Sequence, residues 1–279
     1  MTPYVRRKIV DRVMRGLCFV GAAIAVLPLL SVLAYVASKG LSGLSWEFFT
    51  GLPKPVGEVG GGILHAMVGT LVLVGIACLI GIPIGLIAGI YLAELGGTRL
   101  ARVVRFSADV MSGIPSITVG IFVYTLMVVQ MRRFSALAGG VALAIIMLPT
   151  VTRTTEELLR LVPDALREAA LALGVPRWKT ILFVVLRTAA PGIATGVMLA
   201  VARVAGETAP LLFTALSNRY LSTALDKPIA SMPYQIYTYA VSPYDDWHRQ
   251  AWAAALVLVA LVLVLNLLAR VVIARKAAR

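Results

Sequence analysis

The sequence predicts an all-α polytopic membrane protein with six transmembrane helices. Apolar residues make up 59% of its 279 positions and charged residues 14%, and the mean hydropathy is +0.90. A soluble domain is roughly 45–50% apolar. Six runs approach or exceed the roughly 20 residues a helix needs to cross a hydrocarbon core about 30 Å thick. The runs are continuous rather than the short alternating segments of an outer-membrane barrel, which favours helices. Residues 1–279 read as one transmembrane domain.

The first run, 17–38, follows a basic lead-in, so a signal peptide has to be weighed. Its 22 residues exceed the 7–15 of a signal-peptide apolar region, and no A-x-A site follows it, so it reads as a span. The loop 39–62 ends in "GEVGGG" (57–62), which has the glycines of a phosphate cradle but neither its Lys nor its strand context. A flexible outer loop is expected there. The second run is 63–92 and the third 107–130, with Asp109 near its start as an interfacial partner of the helix N-terminus. The fourth, 136–151, is short and can gain a turn from 133–135 or from beyond Thr152; the fifth is 191–216 and the sixth 251–273. Pro83, Pro115 and Pro149 fall inside runs, where a missing N–H frees a carbonyl and can kink the helix, as happens in spans of every function.

Lys and Arg set the orientation. The N-terminus, the loops 93–106 and 152–190 and the C-terminal end, Arg270 included, hold 18 of the 26; the loops 39–62, 131–135 and 217–250 hold 7, and Arg203 lies within a run. The positive-inside rule places both termini in the cytoplasm. This asymmetry and anionic lipid headgroups account for the net charge of +13, so lipid is an expected partner and nucleic acid is not.

Cys18 and Cys78 both sit in apolar runs and read as packing residues. His65 and His248 lie far apart, without a carboxylate or Cys at ligand spacing, so no metal site is expected and His65 reads as an interfacial polar group. There is no G-x-x-x-x-G-K-[ST], H-E-x-x-H or G-x-S-x-G, so no hydrolytic chemistry is recognisable and the chain is not expected to be an enzyme. Tyr234, Tyr237, Tyr244 and Trp247, in the loop 217–250, suit either an interfacial belt or contact with another protein.

Two polar stretches interrupt this pattern. In "EAALALGVPRWKT" (168–180) and the residues before it, Pro163 fits the first position of a helix, Asp164 and Glu168 put negative charge toward its N-terminal end, and Gly174 suits a left-handed residue after its last turn. A helix of about ten residues is marginal alone. Pro176 can start a second helix, with Trp178 and Lys179 at the interface, so a helix, a turn and another helix are expected along the membrane surface. Ala165, Ala169, Ala170 and Ala172 keep the first one slim, and Arg160, Arg167 and Glu168 offer charged contacts to a cytoplasmic partner. In "VARVAGETAPLLFTAL" (201–216), Arg203 and Glu207 are four apart, hence on one helical face. Burying such charges in a bilayer is costly, so they face the protein interior or water. With Thr208 they form a candidate translocation path or gate; a static interhelical ion pair is the alternative.

Glu168-Ala169-Ala170 followed by Gly174 resembles the E-A-A-x3-G loop of the permease subunits of bacterial ABC importers. Val184, Val185 and Leu186 continue the pattern, while Arg187 stands where the family has Pro and Pro191 comes four residues later. The resemblance implies a cytoplasmic coupling segment at 160–187, with Arg167, Glu168, Ala169, Ala170 and Gly174 coupling to a separate ATPase. "RVAGETAPLLFTA", "GGILHAMVGTLVLVGIACLIGIPIGLIAGIYLAE" (61–94) and "SGIPSITVGIFVY" (112–124) resemble the phosphate-importing branch of the family. The likeness is strong over about 60–220, and a core permease region of about 60–275 is expected. What it implies is a subunit of the bacterial inner membrane that forms half of a phosphate pathway. Its partners would be a homologous permease subunit, ATP-binding subunits and an extracytoplasmic phosphate-binding protein. It would hold no cofactor, ATP being bound by the partners. A permease for another oxyanion, sulfate or molybdate, and a secondary transporter driven by an ion gradient are the alternatives; the latter would not need the E-A-A segment.

Overall fold

The structure, a computed structural model, describes residues 3–277, with side chains for 3–267 and 271. The C-terminal cations counted above, Arg270, Arg275, Lys276 and Arg279, lie outside the described side chains. In chain order the helices are α1 (Pro3–Gly40), α2 (Trp46–Thr50), α3 (Leu64–Glu94), α4 (Arg99–Gly113), α5 (Ser116–Met131), α6 (Ala136–Arg160), α7 (Asp164–Ala172), α8 (Arg177–Ala205), α9 (Ala209–Thr214), α10 (Met232–Ala240) and α11 (Asp245–Ala277). Among the described residues the only β-type pairing is an isolated bridge between Pro53 and Gly61. Five helices, α1, α3, α6, α8 and α11, are long and apolar enough to span a membrane, and α4 with α5 supplies a sixth crossing if the bent pair counts as one.

The centre of the fold is the parallel pair α3–α6. Gly81, Gly85 and Gly89 recur every four residues on one face of α3, the small-xxx-small arrangement that lets two backbones approach. A Cβ on Gly85 would lie 2.8 Å from the Val151 side chain, and one on Gly89 would lie 2.5 Å from Thr155 Cβ and 2.7 Å from the Thr152 carbonyl. On α6, Gly139 in turn receives Leu73. The offset of 66 between partners is the same for 73/139, 85/151 and 89/155, so the two helices stay in register over their shared length. α8 runs antiparallel against a face of α6 that adjoins the one α3 covers, where Gly192 meets Leu158 and Gly196 meets Thr154. Leu73, Ala77, Leu143, Met147, Val151, Ala200 and Val204 form the core these three helices share. α11 holds the outer end, with Gly40 of α1 against Trp252 and Leu256, and Tyr35 edge-on to Trp252 at 5.2 Å. The 38 residues of α1 extend about 57 Å at 1.5 Å per residue, more than a hydrocarbon core requires.

Three expected spans change. The third is broken: α4 and α5 meet at 107°. Pro115 has no N–H and restricts Ile114, which is extended at φ −75°, ψ 130°. α4 carries Arg99, Arg102, Arg105 and Asp109 and begins at Thr98, whose hydroxyl accepts from Ala101 N–H at 3.1 Å. Asp109 therefore lies well inside a helix and is not an N-terminal dipole partner. The fourth span extends beyond Thr152 to Arg160, starting from a Ser135 cap that accepts from Ala138 N–H at 3.1 Å. The fifth is displaced toward the N-terminus: α8 starts at Arg177, straight after Pro176, passes through a π-helical turn at Thr180–Val185, and ends at Ala205. Of the two expected surface helices only α7 therefore lies outside a span, and the second is the start of the fifth span. The loop 57–62 is pinned rather than free. Gly60 N–H donates to Asp246 Oδ2 at 3.1 Å, and Gln250 Nε2 donates to the Gly60 carbonyl at 2.9 Å. His65 is 2% exposed, so it is a core residue and not an interfacial one.

The α3–α6 interface tests by substitution. Gly89→Val in the purified protein should lower the melting temperature by several degrees, the cost of overpacking being about 1–3 kcal/mol. Gly75→Ala, on a face of α3 with nothing within 4 Å, should not lower it; thermal denaturation in detergent monitored by circular dichroism reads both.

Candidate functional site

Two groups of polar residues stand out from the apolar bundle, one around α7 and one at the helix breaks beside α6.

α7 is nine residues long, too short to persist unaided in water. Its start is Pro163, which takes the N-cap position with extended ψ of 137° rather than the first helical one. Its end is a Schellman closure: Gly174 sits at φ +77°, its N–H donates to Leu171 O at 2.9 Å, and Val175 N–H donates to Ala170 O at 3.1 Å. Glycine reaches that backbone conformation without the steric cost other residues meet. Arg167 ties the helix to the bundle. One Nη donates to Val162 O at 2.7 Å and Asp164 Oδ1 at 3.1 Å; the other donates to Leu159 O at 2.9 Å and Glu94 Oε1 at 3.3 Å. Arg167 thus spans the ends of α3 and α6 and the first turn of α7.

That geometry corrects one expectation. Arg167 is not a charged contact offered outward, because four acceptors of its own chain already surround it. Arg160 is likewise engaged, with Nη2 2.8 Å from Glu156 Oε1 and 3.4 Å from Leu92 O. The outward face of α7 is left to Ala165, Leu166, Glu168, Ala169 and Leu171, all exposed, with Leu161 and Leu173 exposed at either side; Ala170 alone is buried. Glu168 makes no ion pair among the described residues.

Next to this lies a charge cluster that the sequence does not announce. Glu156 is 2% exposed, and three guanidinium groups reach its carboxylate: Arg105 through Nε at 3.0 Å and Nη2 at 2.7 Å, Arg153 at 3.3 Å and Arg160 at 2.8 Å. Arg153 also pairs with Asp109. A buried carboxylate needs such compensation. Arg153 and Arg160 could have been anticipated, since they flank Glu156 at three and four residues on one helix face. Arg105 and Asp109 come from α4, 51 and 44 residues distant from their partners along the chain, and only the fold brings them in.

The second group gathers Arg203, Glu207 and Thr208. They do not share one helix face as expected: α8 ends at Ala205, Gly206 caps it, and Glu207 stands in the break before α9, whose Pro210 sits in its first turn. Arg203 Nε and Glu207 Oε1 still lie 4.0 Å apart, Arg203 with a side-chain exposure of 55% and Glu207 of 17%. Arg203 lines a small cavity of about 40 Å³ with Ser112, Ser116 and Pro149. Two helix breaks therefore meet here, at 114–115 and at 206–208. Pro149 adds a third disturbance, because it leaves the carbonyl of Ile145, another wall of the cavity, without its helical donor. The arrangement is a set of unsatisfied or weakly satisfied polar groups in an apolar bundle, suited to recognising an anion or to changing shape. Among the described residues no group of three His, Cys, Asp or Glu side chains is arranged to hold a metal ion.

Comparison with known proteins bears on the family and the fold. Residues 81–278 match the family described as the binding-protein-dependent transport system inner membrane component. The phosphate transport system permease protein PstA of Yersinia pestis is 49% identical over 89% of this chain and 84% of its own length. That of Haemophilus influenzae is 46% identical over 95% of this chain and 94% of its own. Among solved structures, a chain of the MetNI methionine ABC transporter in an inward-facing conformation superposes with a TM-score of 0.61 at 19% identity, covering 76% of this chain and 93% of that one. This last likeness concerns the fold.

Arg167→Ala should release α7 without unfolding the spans. Hydrogen exchange followed by mass spectrometry should show amides of Leu166–Ala172 exchanging at least several-fold faster, with those of α3 and α6 unchanged; equal rates in the two proteins would mean that the clamp does not hold the helix.

Proposed function

The chain belongs to the family of binding-protein-dependent transport system inner membrane components, and on that premise we propose that it is the permease subunit of an ATP-driven phosphate importer, a multi-pass protein of the bacterial inner membrane. The identity shared with phosphate permeases over most of the chain supports the substrate. The observation that carries the coupling role is α7: a short helix outside the spans, clamped to α3 and α6 by Arg167, with Leu166, Leu171, Leu173 and Glu168 exposed on a surface its own chain leaves uncovered. Such a helix suits a groove on an ATP-binding subunit.

In this reading Glu168, Ala169 and Ala170 belong to the docking helix, Gly174 fixes its end, and Arg167 transmits its displacement to the spans. Closure of the paired ATP-binding subunits pulls α7; through Arg167 the ends of α3 and α6 move with it, and the bundle exchanges inward-open for outward-open. Each state must differ in its contacts with the partners for ATP to shift the balance. Arg203, Glu207 and Thr208, at the junction of two helix breaks, form part of the translocation path or its gate. A homologous permease subunit would supply the other half of that path, and an extracytoplasmic binding protein would deliver phosphate. Both termini would lie in the cytoplasm, on the side of α7. Hydrolysis belongs to the ATP-binding subunits, because this chain has no nucleotide-binding motif.

Cells lacking this gene should lose uptake of radiolabelled phosphate at low micromolar external concentration, and in complemented cells the recovered uptake should be blocked by excess arsenate but not by excess sulfate. Loss of sulfate or molybdate uptake instead would keep the architecture and replace the substrate. Replacing Gly174 by Val or Glu168 by Trp should abolish uptake while the protein still inserts at normal abundance; transport persisting with a tightly assembled ATPase would refute the docking role. Arg203→Gln should also abolish uptake, with the complex still assembled on size-exclusion chromatography.

A further inference from the structure

At the end of the bundle opposite α7, a cavity of about 330 Å³ opens between the segment at Pro53 and Lys54, the loop that follows α9, one face of α10 and the first turn of α11. Two cations, Lys54 and Arg219, line it, and no carboxylate does. Lys54 is already committed, with Nζ 3.0 Å from Glu47 Oε1 and 3.2 Å from Val59 O. Arg219 has no ion pair and no side-chain hydrogen bond among the described residues, so its charge is the uncompensated one.

The chain around Arg219 is built to hold it there. Leu216 has φ +55°, unusual for a non-glycine residue, and its N–H reaches back to Leu211 O at 2.9 Å, turning the chain sharply out of α9. Asn218 then secures the loop from both sides: its Nδ2 donates to Pro228 O at 3.3 Å, and its Oδ1 accepts from Tyr220 N–H at 3.0 Å. Ile229 N–H donates to Ala215 O at 3.2 Å and closes the base of the loop. The opposite wall is rigid too, because Tyr239 is 5% exposed and stacks on Trp247 with centroids 4.4 Å apart. Burial pushes the Tyr239 phenol up; a hydrogen bond with Gln235 and the Arg219 charge act in the opposite direction, and the Asp246 carboxylate acts with burial, so the phenol feels both the guanidinium and a neighbouring carboxylate. The phenol is a neutral donor, and Ser217 and Thr238, which each carry a hydroxyl, also line the space.

We propose that this cavity is an outer subsite for a tetrahedral inorganic oxyanion, held by the Arg219 guanidinium with hydroxyls of Ser217, Thr238 and Tyr239 around it. A planar guanidinium binds two oxygens of such an anion at once. The ordered loop lowers the cost of binding, since the backbone that carries the exposed Arg219 side chain is fixed beforehand. The place in the fold fits a passing ligand. Leu216, a wall of the cavity, follows α9, and the residues just before α9 are Glu207 and Thr208. The six residues of α9 span about 9 Å at 1.5 Å per residue, so one short helix joins the subsite to the break where Arg203 stands. This inference rests on the importer reading and deepens it: the anion released on the outer face meets Arg219 before it meets Arg203.

The test uses the assembled importer in nanodiscs, without the binding protein and with the nucleotide sites filled by a non-hydrolysable ATP analogue. Millimolar inorganic phosphate is added and its 31P line width compared with that in empty nanodiscs. The expected result is excess broadening that arsenate removes, that is lost in Arg219→Gln, that returns at least partly in Arg219→Lys and that persists in Arg203→Gln. Size-exclusion chromatography and basal ATPase activity show whether each variant is still assembled. Wild-type broadening no greater than that of empty nanodiscs, or broadening unchanged in Arg219→Gln, overturns the subsite while ATP-driven phosphate uptake, measured in parallel, keeps the importer reading. If Arg219→Gln changes only the binding-protein concentration needed for half-maximal uptake, Arg219 is a docking contact and the subsite is overturned. Uptake of a different oxyanion in place of phosphate would instead refute the importer's substrate, and the line-width comparison repeated with that anion decides the subsite on its own.

Discussion

Close approach of α3 and α6 is the constraint on which everything else in the molecule depends. In a bilayer there is no hydrophobic gain from bringing two apolar helices together, so packing has to do it, and packing requires that side chains be absent where backbones meet. Gly81, Gly85 and Gly89 leave that space, and Met147, Val151 and Thr155 fill it at a fixed register. Because α6 is held there, α8 can seat Gly192 and Gly196 on the adjoining face. Because α3 and α6 end side by side, Glu94 and the carbonyl of Leu159 lie close enough for one guanidinium to bind both. The clamp on α7 is a consequence of the glycine stripe.

Charge compensation then decides which parts move together. Glu156 is buried on α6 and is reached by Arg105 from α4 and by Arg153 and Arg160 from its own helix. Sliding α4 along α6 would break the Arg105–Glu156 and Asp109–Arg153 pairs together, so α4 follows α6 rather than moving past it. Arg167 makes the same kind of link to α7. α3, α4, α6 and α7 are thereby joined at one end into a unit of shared displacement. A coupling helix must belong to such a unit: one joined to the bundle by a flexible tether would absorb the motion of an ATPase without passing it on.

The class of fold was legible because composition and run length are properties of the chain alone. The short helix α7 was legible because its end signals are local: Pro163 before Asp164, and Gly174 where the chain takes a left-handed backbone. Breaks were harder. Hydropathy cannot distinguish a straight span from two helices joined at Ile114–Pro115, since one proline hardly lowers the average of so long an apolar run, and it placed the fifth span too late because Leu211, Leu212 and Phe213 continue the apolar run after α8 has ended at Ala205. Glu156 and Arg105 were illegible for another reason. They are 51 residues apart, and a charge that is buried looks the same in a sequence as one that is solvated. The spacing of Gly81, Gly85 and Gly89 was present in the sequence as a signal for close packing, but it does not name its partner helix.

The breaks at 114–115 and 206–208 are the complement of the rigid unit. A packed core resists continuous deformation, so a change of state has to be absorbed at a few positions. Both breaks lie beside Pro149, where α6 has lost a backbone hydrogen bond, and beside Arg203, half exposed and only loosely paired with Glu207 at 4.0 Å. α5 and α9, on the far sides of the two breaks, pack directly on each other where Gly120 meets Pro210. α4 and α8, on the near sides, contact α6, as do α5 and α9, the latter through Leu211 and Ala215 against Gly139. In the proposed importer, a displacement of α6 carried from α7 would reach both breaks together, and the α5–α9 pair would shift with it. The weak Arg203–Glu207 pair sits at that hinge, where a charged residue is worth keeping only if its partner can change. This is the physical reason to connect the polar groups of the apolar bundle with the motion of a helix at its end.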